Sequence, residues 1–170
     1  LRDLPDSGIH LVIAGQLGWK YDQFLSDLEN QREKVRFTDF VLEEDLAALY
    51  SGALAFSFAS YYEGFGLPAL EAMACGVPVV YGNRGSLPEV VGDAGLAAEP
   101  NNVDEISRCF AALIQDPELR SELSRNAVKR AAGFSWDTTV RKTVEIYRSL
   151  LAGEQPFAVR STNAPGFNSP

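Results

Sequence analysis

Two carboxylates, Glu63 and Glu71, bracket the segment Glu63-Gly-Phe-Gly-Leu-Pro-Ala-Leu-Glu71, the stretch of this 170-residue chain best equipped for chemistry. Its pattern predicts a glycine-flanked turn that becomes a helix at Pro68. Proline suits the first helical position because the N–H it lacks would have no intrahelical partner there. Gly76 is placed to close the helix through a left-handed cap, and Pro78 prevents continuation. A helix start offers N–H groups and the positive end of the dipole, which together suit a phosphate. The two carboxylates cannot serve that phosphate. They accept hydrogen bonds only, and one carboxylate takes both hydroxyls of a vicinal diol. Glu71 lies one turn inside the helix, about 5.4 Å along its axis. The linear order therefore suits a sugar at Glu63, a diphosphate at the amides of Phe65, Gly66 and Leu67, and a ribose at Glu71.

The elements around this stretch read as an alternation of strands and helices. Ile9 to Ala14 is a nearly continuous apolar run, expected as a strand buried on both faces of a parallel sheet. Gly15, Gly18 and Trp19 follow at its carboxyl end, where open α/β sheets bind ligands. His10 reads as a strand-end residue rather than a catalytic one, since no acidic partner is near in sequence. A helix carrying Tyr21, Phe24, Leu25 and Leu28 on one face comes next, then a short strand at 35–37. Glu43, Glu44 and Asp45 crowd the first turn of a second helix, where acids suit the dipole, and Leu46, Leu49 and Tyr50 line its inner face. Leu54 to Phe58 is expected as a central strand that delivers the chain to Glu63. Further strands are expected over 77–81 and 95–98, with a short helix over 87–91 between them. Three closing helices follow, opened by Asn101 or Asn102, by Asp116-Pro117 and by Ser135. The last carries Val140, Val144, Tyr147 and Leu151 at one-face spacing. This alternation predicts a doubly wound, Rossmann-like α/β domain with a parallel sheet, spanning residues 1–152. Periodicity is lost over 153–170, which reads as a disordered or surface-draped tail.

Composition narrows the partners. The net charge of −8, from 15 basic and 23 acidic residues, argues against nucleic acid and against an anionic membrane surface. Two cysteines, Cys75 and Cys109, make neither a disulfide framework nor a zinc set, and read as buried free thiols in a reducing compartment. Neither a signal peptide nor an apolar run long enough to span a bilayer is visible. A cytoplasmic location, including the cytosolic face of a membrane, is expected.

At this point the residues match a known pattern. Tyr62-Glu63-Gly-Phe-Gly-Leu-Pro-Ala-Leu-Glu71-Ala-Met-Ala-Cys-Gly-Val-Pro-Val closely resembles the two-glutamate signature of retaining glycosyltransferases of the GT-B fold. More narrowly, it resembles the group 1 glycosyl transferases that include mannosyl-, glucosyl- and sucrose-forming enzymes. Supporting matches are Leu11-Val-Ile-Ala-Gly15, Leu46-Ala-Ala-Leu-Tyr50, Ser86-Leu-Pro-Glu-Val-Val-Gly-Asp93 and Phe134-Ser-Trp136. The resemblance covers about Ile9 to Leu151 and is to the carboxyl-terminal, donor-binding half of such enzymes. It implies a nucleotide diphosphate sugar of the GDP-mannose or UDP-glucose type as substrate. Glu63 then contacts the donor hexose at the catalytic centre, and Glu71 the ribose diol. Gly64 and the amides of Phe65, Gly66 and Leu67 line the phosphate site, and Phe40 and Val41 take the base position. Gly15, Gly18 and Trp19 border the same cleft. The Gly18-Trp19 pair followed by Tyr21-Asp22 looks most like the mannosyltransferases of bacterial surface-polysaccharide synthesis.

Two departures accompany the match. Ala59 stands where the family usually has Pro, which loosens that loop without touching the chemistry. The Arg and Lys that clamp the diphosphate in the family fall before Leu1, and Lys20 and Arg84 are the nearest cations without matching the motif. The resemblance thus implies part of a longer enzyme, inactive alone, whose first strand and helix, amino-terminal acceptor-binding domain and membrane contact, if it has any, lie outside this chain. The reaction implied is hexosyl transfer to an acceptor hydroxyl with retention, needing no metal and no cofactor. Glu63 serves there as a hydroxyl anchor, an electrostatic stabiliser or both, not as a covalent nucleophile. Two other readings stay open: a non-catalytic nucleotide-sugar-binding module, and another bilobal enzyme such as a sugar-nucleotide epimerase or a phosphorylase.

Overall fold

The computed structural model describes residues 8–16 and 28–154. Strand β1 (Leu11–Ile13) precedes a 3₁₀ turn over Glu29–Lys34 and strand β2 (Val35–Phe37). Helix α1 (Glu43–Ser51), strand β3 (Phe56–Phe58), helix α2 (Leu67–Ala74) and strand β4 (Val79–Gly82) follow. Helix α3 (Leu87–Val91) and strand β5 (Gly95–Ala98) complete the alternation, and helices α4 (Val103–Gln115), α5 (Pro117–Ala131) and α6 (Trp136–Leu151) close it. Gly18, Trp19 and Lys20, the helix expected over Tyr21, Phe24 and Leu25, and the tail beyond Glu154 lie outside the described residues.

Among the described residues the ladders are parallel, β1 with β2 in one sheet and β3-β4-β5 in another. Strand β4 is the buried centre of the larger sheet, with all four of its residues enclosed. Its alternation splits the core in two, because successive strand side chains point to opposite faces. Val79 and Tyr81 join Ala69, Met73, Leu87, Val91 and Ala127, which come from α2, α3 and α5. Val80 joins Leu113 and Leu123, with Phe110 and Leu119 packed around them. Helices therefore cover both faces of β4. The doubly wound arrangement expected from the alternation is present.

Two strand expectations are corrected. The run over 54–58 is not central among the described strands: β3 covers Phe56–Phe58 and lies at the edge of the order β3-β4-β5. The run over 9–14 shortens to Leu11–Ile13 and is not enclosed, with Leu11 37% and Val12 45% exposed. Burial on both faces needs a helix layer on each, and helices α1 to α5 gather on β3-β4-β5 and on one another while β1 leans on β2. The thiols of Cys75 and Cys109 are free but half-buried rather than enclosed.

Capping residues act where the sequence places them. The Asn102 side chain accepts from the Glu105 N–H and donates to the Glu105 carboxylate, a reciprocal box at the start of α4. Asp116 accepts from the N–H groups of Glu118 and Leu119 at 3.0 and 2.9 Å, with Pro117 opening α5. The described residues from Phe134 onward belong to a second unit, in which Ser135 caps α6 by accepting from the Thr138 N–H.

Candidate functional site

The site is built on helix α2. The helix begins at Leu67, one residue before Pro68, because Gly66 turns the chain with φ 98°. A side chain would be strained at that φ, and a Cβ there would stand 2.6 Å from Leu87 Cδ2, so Leu87 would have to shift. The Gly66 carbonyl accepts from the N–H groups of Ala69 and Leu70. The N–H groups ahead of Ala69 belong to the part of a helix that has no intrahelical acceptor. Three acids occupy the first turn of α1, whereas the first turn of α2 carries none. The positive end of the α2 dipole is thus not matched by carboxylates of its own first turn. At the other end, Gly76 and Val77 donate to the carbonyls of Met73 and Ala72, closing the helix as its sequence predicts.

Glu63 is held through its backbone. The Ser86 hydroxyl lies 2.9 Å from the Glu63 carbonyl and 2.8 Å from the Phe65 carbonyl, so its one proton serves both. Ser86 precedes α3 at a position where serine usually caps a helix, yet it makes no side-chain cap there. Its oxygen is turned instead to the turn that presents Glu63. Gly85 comes so close to this turn that a Cβ on it would lie 3.2 Å from the Glu63 nitrogen and oxygen. Beside Gly64, by contrast, the corresponding space is open, and Tyr62 is 80% exposed. We expect Ser86→Ala to lower the unfolding free energy by about 1 kcal/mol, the typical worth of one such bond. Faster amide exchange over residues 63–66 would mark the loosened turn, and unchanged exchange there would refute the pinning role.

Glu71 stands one turn further along α2, on the exposed side of the helix. Tyr50 Oη donates to Glu71 Oε2 at 3.1 Å. Burial, and then the bond to this carboxylate, push the Tyr50 phenol well above its ordinary pKa. Counting helix spacing places Tyr50 among core residues of α1; only the folded chain reveals its polar end against Glu71.

A second group forms beyond β1 and β2. The Gly15 N–H donates to the Asp39 carbonyl at 2.9 Å, which also accepts from Thr38 Oγ1. Asp39 sits at φ 54°, the sole non-glycine in the left-handed region among the described residues. Short polar side chains tolerate that conformation, and here it turns Phe40 outward, 68% exposed, with Val41 half-buried behind it. Gly15 has open space where a Cβ would stand. Gly15, Phe40 and Val41 thus gather at the carboxyl edge of one sheet, and Glu63 to Glu71 follow the carboxyl end of β3 in the other. Asp39 and Ser86 were not legible as site-shaping residues, because a left-handed Asp and a serine that bonds a distant turn instead of its own helix leave no periodic signal.

Arg84 is already engaged. Its Nε and Nη2 each donate to the Glu99 carboxylate at 2.9 Å, so its charge, in the loop after β4, is matched by an acid that follows β5. Among the described residues no three His, Cys, Asp or Glu side chains gather as a metal set, and no helix is long and apolar enough to cross a membrane.

Comparison with known proteins adds to this geometry. Residues 1–130 match the model of the family described as glycosyl transferases group 1. The chain is similar to O-antigen chain mannosyltransferase B of Escherichia coli, 44% identical over 142 residues, covering 82% of this chain and 37% of that protein. It is also similar to the MMP alpha-(1->4)-mannosyltransferase of Mycolicibacterium hassiacum, 41% identical over 114 residues, covering 65% of this chain and 28% of the relative. Among solved structures, sucrose-phosphate synthase from Thermosynechococcus elongatus superposes with a TM-score of 0.75 at 28% identity, over 85% of this chain and 39% of that one. The match spans only 28–39% of the length of these proteins.

Proposed function

Since this chain belongs to the glycosyl transferases group 1 family, we propose that it forms the donor-binding part of a retaining hexosyltransferase that uses a nucleotide diphosphate sugar. One observation carries the reading furthest. A single short helix presents a start without acids in its first turn, with Glu63 pinned ahead of it and Glu71 held one turn within it. The diphosphate sits at the amides of Phe65, Gly66 and Leu67, the hexose hydroxyls at Glu63 and the ribose diol at Glu71. Phe40 and Val41 border the base, and Gly15 borders the same cleft.

Breaking the bond between the sugar and the diphosphate leaves positive charge on the sugar ring and negative charge on the leaving group. Preoriented amides at the α2 start lower the barrier by stabilising the leaving group, since their dipoles need no reorganisation. Glu63 steadies the sugar, either by anchoring its hydroxyls or by facing the developing positive charge. A diphosphate carries about two negative charges, whereas a helix start supplies only about half a positive one. Arg84 is matched by Glu99, so its charge is already engaged elsewhere than at the diphosphate. The acceptor is bound by parts of the enzyme beyond this chain, consistent with the small share of the relatives' length that it spans.

The names of the relatives favour a mannosyl donor, with surface polysaccharide as the product class. A donor screen on the full-length protein tests this, comparing GDP-mannose, UDP-glucose and UDP-N-acetylglucosamine by release of nucleotide. Turnover with GDP-mannose at least about tenfold above the other two is expected, a difference of about 1.4 kcal/mol in transition-state binding. Preference for a UDP-sugar would overturn the mannosyl assignment. Saturable nucleotide binding without transfer from any donor would favour a binding module.

A further inference from the structure

Helix α1 contributes one side chain to the edge of the donor site, and it comes with a rigid mounting. The Tyr50 ring meets Phe56 edge to face at 5.4 Å and 82°, and Phe56 stacks on Phe58 at 5.8 Å and 22°. Phe56 and Phe58 belong to β3, the strand that leads to Glu63. The Tyr50 carbonyl accepts from the Ala53 N–H at 2.8 Å, which steadies the end of α1. A phenol fixed by aromatic packing therefore delivers one proton to one oxygen of Glu71, at 3.1 Å.

The consequence concerns the other oxygen. Glu71 lies on an exposed helix surface with three rotatable bonds, and without a partner its carboxylate samples several rotamers. We propose that Tyr50 is a positioning residue for nucleotide recognition: its hydroxyl holds Glu71 Oε2 so that the remaining acceptor sites of the carboxylate face the vicinal diol of the donor's ribose. This rests on the ribose reading of Glu71 given above. The phenol suits the task because a tyrosine hydroxyl is protonated throughout the neutral range, and burial and the neighbouring carboxylate only raise its pKa further. A carboxylate has lone pairs enough for the phenol and for two diol hydroxyls together. Fixing it beforehand removes the cost of ordering a flexible side chain when the nucleotide arrives.

Calorimetry on the full-length protein tests the role with GDP and UDP and with their 2′,3′-dideoxy analogues. The unmodified protein should prefer the parent of the better-binding nucleotide over its dideoxy analogue by about tenfold, a preference worth about 1.4 kcal/mol. Tyr50→Phe should shrink that preference to about threefold or less while leaving affinity for the dideoxy analogue unchanged. Glu71→Ala should abolish the preference. Equal weakening of parent and analogue by Tyr50→Phe would show that the hydroxyl only supports the fold, and an undiminished preference would show that it does nothing for the diol; either overturns the proposal. If the preference survives Glu71→Ala, the ribose assignment itself fails. If neither nucleotide binds the protein, the donor reading and the role of Tyr50 fall together.

Discussion

Glu63→Gln in the full-length enzyme is expected to lower kcat for hexosyl transfer by about 100-fold or more, with affinity for the nucleoside diphosphate unchanged. The magnitude is that of losing one preoriented electrostatic group at a reacting centre. Glutamine keeps the size of the side chain and one carbonyl acceptor but removes the negative charge. The backbone that carries the side chain should not move, because its carbonyl is pinned by Ser86 and its flank is closed by Gly85. The substitution therefore isolates what the carboxylate does for the sugar. Single-turnover kinetics separate this from binding, and the nucleoside diphosphate, which lacks the sugar, supplies the control. Should the variant lose nucleotide affinity and keep its rate, the order of sugar and ribose along α2 would be reversed. The complementary Glu71 variants act on the other end, where affinity rather than rate is the quantity at stake.

Gly82→Ala is expected to destabilise the chain by about 3 kcal/mol, at the upper end for overpacking in a core. Gly82 ends β4 and is buried, and a Cβ there would overlap the Ser60 carbonyl oxygen. The Ala59 carbonyl carbon and Pro100 Cγ would lie at 3.4 and 3.0 Å on its other sides. The colliding atom is backbone on the path from β3 to Glu63, so no rotamer change relieves it. Either β4 and that segment separate, exposing core, or the Glu63 turn is displaced. The midpoint of thermal unfolding should fall by about 6–12 °C for a chain of this size, and transfer activity in the full-length enzyme should fall with it. A shift within 0.5 kcal/mol, as for an ordinary surface substitution, would mean that the loop yields at little cost.

The legible and illegible parts of this fold differ by the range of the forces that specify them. The closing helices were open to a local reading because a cap and its donors lie within three residues of each other, as at Asp116 with Glu118 and Leu119. Strand β4 was legible as well, since a strand enclosed on both faces is apolar without alternation. The central position assigned to residues 54–58 failed because strand order depends on which element lies alongside, and an apolar edge strand looks the same in sequence. The burial expected for residues 9–14 failed for a related reason: Leu11 and Val12 are apolar whether or not a helix layer covers them.

The same division runs through the site. By itself, the sequence determined the α/β class, the turn-to-helix stretch and the two acids that bracket the helix start, because these follow from residue type and short spacing. Tertiary structure alone decided what holds those acids and which charges stay available. Ser86 reaches back 23 residues to the Glu63 carbonyl, and Tyr50 reaches forward 21 residues to Glu71. Arg84, a plausible phosphate cation from its place in the chain, is instead committed to Glu99. Hydroxyls and guanidinium groups choose partners by proximity in the folded chain, and that proximity is set by how α1, α2 and the loop after β4 pack together.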